Sequence, residues 1–165
     1  MKVTFVKSAP AKSGSALVIT KSLNANPYAK MGGKALKGAA SAARFKGDKG
    51  QSFTTYVMNG DKAVRVFCKG RGKSTTFDYE MCVAQWVKSL RGSGETTLNI
   101  HLDGTDATAD DAARAALGAR LAGYVYDKRR SAATKSKKPP FKSLRVVCNN
   151  PAAAKKSYDN FYGAV

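Results

Sequence analysis

Strand-like runs and alanine-rich helical runs take turns along this chain, and that alternation leaves few architectures open to it. LNIHL at 98–102 is followed within a few residues by TADDAARAALGARLAGYVYDKRR at 108–130. A strand that feeds a helix and then another strand is the building unit of sheets covered by helices. The remaining strand-like runs are KVTFV at 2–6, ALVIT at 16–20, SFTTYVM at 52–58, AVRVFC at 63–68 and LRVVC at 144–148. Helical spacing recurs in KALKGAASAARF at 34–45, over 77–90, and after Pro151 in AAAKKSYDNFYGAV. The order is ββαββαβαβα, which predicts an α/β fold: a mixed sheet of about six strands with helices on both faces. No repeat or second domain is visible, and 165 residues suffice for one domain with its own core.

Local signals sharpen the elements. Asn59-Gly60-Asp61 between two strand-like runs predicts a hairpin. Thr75 three residues before Asp78 predicts an approximate capping box, with the acid at the positive end of the helix. Met81, Val83, Ala84, Trp86, Val87 and Leu90 make a broad apolar face on that helix. Leu117, Leu121, Tyr124 and Val125 fall on one side of the following helix by 3–4 spacing, which is taken as its inner face. Asn26 before Pro27 marks another helix start, weakened by Gly32 and Gly33. Pro139-Pro140 forbids helix there, so 128–143 reads as an extended loop.

Several chemistries are excluded. RVFCKGRGKS at 65–74 looks like a strand feeding a phosphate loop, but Phe67 stands where that loop needs its first glycine. Cys68, Cys82 and Cys148 are odd in number and widely spaced, as expected of free buried thiols in a reducing compartment. His101 is the only histidine, and no C-x-x-C or H-x-x-x-H spacing offers a metal site. No apolar run nears the ~18 residues of a membrane span, and MKVTFVKSAP reads as a first strand, not a secretory signal. An intracellular compartment is expected, cytoplasmic or organellar (mitochondrial), and a removed presequence stays open.

Charge is the unusual quantity. The chain carries +18. Residues 1–47 contribute +9 without a single acid, 48–127 sum to zero, and 128–165 contribute +9. Such self-repulsion points to a polyanionic partner, nucleic acid first, RNA ahead of DNA, with an acidic protein surface behind. KRRSAATKSKKPPFKS at 128–143 holds seven cations and no acid. The candidate nucleic-acid-binding residues are Lys128, Arg129, Arg130, Lys135, Lys137, Lys138, Lys142 and Arg145 in and after this loop. Lys69, Arg71 and Lys73 join them from the glycine turn, and Lys34, Lys37, Arg44 and Lys46 from the first helix and its exit. Lys/Arg on such a loop neutralise phosphates without reading bases. Tyr124, Tyr126 and Phe141 flank it and could stack on unpaired bases, although Tyr124 reads first as a core residue.

Five stretches carry a family resemblance: ARFKGDKGQ at 43–51, VFCKGRGKS at 66–74, AALGARLAGYVYDKRR at 115–130, PPFKSLRVVC at 139–148 and the run AAAKKSYDNFYGAV. In this order they resemble the N-terminal, non-catalytic domain of the zinc-dependent leucyl aminopeptidases, the cytosol aminopeptidase family. The resemblance implies one domain over 1–165, of macro-domain-like architecture, with the catalytic domain absent. The family's zinc ligands and catalytic lysine and arginine belong to a C-terminal domain whose N-T-D-A-E-G-R-L signature does not occur here. No catalytic residue, metal or cofactor is therefore expected, and no enzyme activity. Lys69, Arg71 and the high charge depart from the family's pattern. The expected function is a structural or binding subunit on a polyanion, in a ribonucleoprotein assembly with other proteins and away from membranes. The alternative is an oligomerisation or regulatory domain of a zinc leucyl aminopeptidase. A phosphate held at Gly70-Arg71-Gly72-Lys73 is a third, minor reading.

Overall fold

The computed structural model describes residues 1–8, 14–24, 31–73, 76–124 and 141–163. Its elements follow the expected order: β1 (Lys2–Val6), β2 (Ser15–Thr20), α1 (Gly33–Ala42), β3 (Ser52–Asn59), β4 (Lys62–Gly70), α2 (Tyr79–Ser89), β5 (Thr97–His101), α3 (Ala109–Gly123), β6 (Ser143–Val147) and α4 (Pro151–Gly163). The six strands form one sheet in the order β1-β6-β5-β2-β4-β3. All neighbours are parallel except the β3–β4 hairpin.

Position in the sheet follows from sequence. A parallel strand buried on both faces needs a continuous apolar run. SALVIT supplies it, and all six residues of β2 are buried at the sheet centre. KVTFV and SFTTYVMN alternate instead, and they form the two edges.

Two cores flank the sheet. On one face Leu17, Ile19, Leu98, Ile100, Leu144 and Val146 pack against α2, α3 and α4. Burying each such side chain contributes about 1.5–3 kcal/mol before the ordering cost is subtracted. On the other face Ala16, Val18, Val64, Val66 and Cys68 meet Leu36 and Ala40 of α1, with the Phe45 ring centred 5.0 Å from that of Phe53 and tilted to it by 60°.

The helix ends show why these segments start and stop. Asp78 caps α2 by accepting from the Met81 amide at 2.9 Å. Thr75, the expected first member of that box, lies outside the described residues. At α3 the box is complete: Thr108 accepts from the Asp111 amide at 3.1 Å, and Asp111 accepts from the Thr108 amide at 2.9 Å. α1 ends at Ala42, and Arg44 takes the left-handed conformation with φ 52. The Phe45 amide then reaches the Ala40 carbonyl and the Arg44 amide that of Ser41, both at 2.9 Å, a Schellman closure with arginine where glycine is usual.

Two expectations about packing are corrected. The inner face of α3 is made of Ala112, Ala113, Ala115, Ala116, Ala119 and Ala122, whereas Leu121 and Tyr124 face solvent, Tyr124 at 66 % exposure. Small residues win this face because neighbouring backbones come too close for larger ones. A Cβ on Gly118 would overlap the Glu80 carbonyl of α2. Met81 likewise points outward from α2, while Val83, Trp86, Val87 and Leu90 are buried.

Candidate functional site

The carboxyl ends of β2, β4 and β5 lie side by side, where open α/β sheets bind ligands. The turn after β4, Gly70-Arg71-Gly72-Lys73, sits there. Its amides are already used: Gly70 donates to the Gln51 carbonyl at 2.9 Å, Arg71 to Thr20 at 2.9 Å and Gly72 to Gly47 at 2.8 Å. The glycines serve this closure, since a Cβ on Gly70 would overlap the Asp48 carbonyl and one on Gly72 would press on Lys49. The turn is a docking surface for the 46–51 turn, with no amide of these three left for a phosphate.

Arg71 is corrected as a surface cation. It is 7 % exposed, and its guanidinium pairs with the Asp106 carboxylate. Asp106 also accepts from Lys21 Nζ at 3.3 Å. The slight burial of Asp106 raises its pKa, but the Lys21 hydrogen bond and the Arg71 charge outweigh this and hold it below the usual carboxylate range. Sequence reasoning missed Lys21 and Asp106. The only available signal was the turn residue pattern DGTDAT following β5.

The other candidate cations divide into groups. Lys34 and Lys37 lie on the solvent side of α1, and Arg44 and Lys46 follow its end; all four are exposed. A Cβ on Gly47 would overlap the backbone of Lys21 and Ser22, which places the turn after Lys46 at the end of β2 beside exposed Lys21. Lys69 is half-buried on the opposite face of the sheet, beside Cys82. Lys142 is exposed just before β6, and Arg145 is half-buried in β6 between Thr4 and Asn99 in register. Lys128, Arg129, Arg130, Lys135, Lys137, Lys138 and Tyr126 lie outside the described residues. Phe141 is buried against Gly123, so it offers no open ring for stacking.

Catalytic chemistry finds no set of groups. Among the described residues no three His, Cys, Asp or Glu side chains converge as a metal site. His101 is fully buried at the end of β5, its Nδ1 3.8 Å from Asp103. None of the three cysteines is joined in a disulfide. Burial pushes Cys82 and Cys148 up to about 11, keeping both protonated and poor nucleophiles at neutral pH. No helix among the described residues is long and apolar enough to cross a membrane.

The class defined so far is a three-layer α/β domain whose glycine-rich strand-end turn is closed on its own chain. Comparison with known proteins narrows this further. Residues 15–133 match the model for the cytosol aminopeptidase family, N-terminal domain. The chain belongs to that family. It is 35 % identical over 130 residues to a probable cytosol aminopeptidase of Caulobacter vibrioides, covering 77 % of this chain and 26 % of the relative. With a probable cytosol aminopeptidase of Afipia carboxidovorans it shares 29 % identity over 167 residues, 96 % of this chain and 33 % of the relative. A tomato leucine aminopeptidase mutant has the same fold, with TM-score 0.68 at 20 % identity over 96 % of this chain and 35 % of that one. The chain thus spans about a quarter to a third of the length of these relatives.

Proposed function

We propose that this chain works as a non-catalytic domain of the cytosol aminopeptidase type, with an assembly or regulatory role and without peptidase chemistry of its own. The match to the family's N-terminal domain carries the reading. The chain's compartment is intracellular and cytoplasmic, in keeping with three cysteines outside any disulfide and with the names of the relatives. The test is leucine release from a leucyl amide by the purified, zinc-supplemented chain.

A second reading, docking on a nucleic-acid backbone, RNA ahead of DNA, is favoured by how charge divides between the two helical layers. Across α2, α3 and α4 acids lie among the cations: Arg114 lies 3.9 Å from Glu80, and Lys155 lies 2.6 Å from Asp159. Arg120 donates to the Tyr158 and Tyr162 hydroxyls at 3.2 and 2.7 Å. The layer formed by residues 31–47 contains Lys34, Lys37, Arg44 and Lys46 and no acid. Exposed cations without acidic neighbours release counterions on meeting phosphates, so affinity falls steeply with salt. Affinity indifferent to salt would remove this reading.

A further inference from the structure

Strand β3 closes the sheet on one side, and among the described residues it pairs only with β4. The hairpin turn has Gly60 in its first central position with φ 61, the type II′ pattern, and closes on the pair Asn59–Lys62. A two-residue turn closes on a hydrogen-bonded pair, and such pairs alternate along an antiparallel ladder. Phe53, Thr55, Val57 and Asn59 therefore turn their backbone groups to β4. Ser52, Thr54, Tyr56 and Met58 turn theirs to the open edge. The Gly70 amide on the Gln51 carbonyl, at 2.9 Å, continues the same alternation.

Natural sheets guard an open edge with charge, proline, a bulge or shortness. The opposite edge, β1, is five residues long and carries Lys2. β3 is eight residues, SFTTYVMN, in unbroken register with β4, and has no charge, proline or bulge. Its outer side chains sit beyond the reach of α2: Tyr56 is 66 % exposed and Met58 64 %. Phe53 and Val57, on the other face, are anchored beneath Phe45 and Gly32. The strand is held rigidly on one side and offered on the other.

We propose that β3 pairs antiparallel with β3 of a second copy of this chain, joining two sheets across a two-fold axis at Thr55. In that register Ser52 opposes Met58 and Thr54 opposes Tyr56, and all four present outward backbone groups. An antiparallel pairing of a strand with itself is self-complementary. Charge selects this place as the one where a second copy can approach. Apart from the interior strands β2 and β5, every other element carries Lys or Arg. Two copies at +18 meet with least repulsion along the uncharged strand, and Tyr56 and Met58 gain cross-strand partners.

Sedimentation velocity of the full chain tests this between about 100 and about 500 mM salt, where screening shortens the reach of the repulsion. The expected result is a monomer–dimer equilibrium that tightens as salt rises, the opposite of the salt response of phosphate binding. Thr54→Pro removes one outward amide without touching the β4 ladder, and Met58→Lys puts into the seam the guarding charge that natural sheet edges carry. Each is expected to weaken the dimer by about tenfold or more while the thermal transition of the monomer persists. A monomer at every salt concentration overturns the proposal. So does a dimer indifferent to both substitutions, or a monomer that instead takes an added extended peptide along β3.

Discussion

Arg44 and Arg71 bear the same charge, yet they do opposite things. Arg71 is turned inward onto Asp106, where it ties the end of β4 to the turn after β5. Asp106→Asn leaves the buried guanidinium with a poorer acceptor. Asp106 itself is more than half exposed and screened, so the cost comes from the Arg71 side, about 1–3 kcal/mol, read as a lowered melting temperature. The same pairing responds to pH. Because the folded state depresses the pKa of Asp106, its carboxylate stabilises the fold above the ordinary value of about 3.9, and this is lost as pH falls through the depressed value. Arg44 points out of the fold and holds a left-handed φ of 52 that suits glycine better. Arg44→Gly is expected to stabilise the chain by about 1 kcal/mol, or about 2–4 °C, and to make the salt slope of nucleic-acid binding shallower by about one. A variant stabilised with the slope unchanged removes Arg44 from the interface. The turn motif Gly-x-Gly-Lys made Arg71 look like a surface cation, because its partner lies 35 positions further along the chain.

At the scale of elements, the order of strands and helices was legible because each run shows its own period. The central and edge positions were implicit in the unbroken SALVIT against the alternating KVTFV and SFTTYVMN. The face of α3 was not legible. Leu117, Leu121 and Tyr124 form the more hydrophobic stripe, but periodicity identifies stripes without saying how close the neighbouring helix comes. Close approach against α2 selects the alanine stripe, with Gly118 at the contact. Gly118→Ala is accordingly expected to cost about 1–3 kcal/mol through forced separation of the helices. Leu121→Ala, on the exposed side, is expected to change stability by less than about 0.5 kcal/mol. Chemical denaturation of the two variants checks the assignment, and the reverse ranking would restore the leucine stripe to the core.

For the whole molecule, composition gave the charge but not its layout. The sheet divides a layer whose residues 31–47 hold cations and no acid from a layer on α2, α3 and α4 where cations and acids mix, and it leaves β3 as an uncharged rim. The interior is filled by aliphatic and aromatic side chains of the strands and helices, with alanines at helix contacts and a single enclosed histidine. Membership of the cytosol aminopeptidase family rests on the N-terminal domain of that family, and a lack of peptidase chemistry is what we propose for this chain. The most direct measurement is leucine release from a leucyl amide by the purified full chain with added zinc. No release above a protein-free blank is expected, and zinc-dependent turnover by this chain would contradict the account.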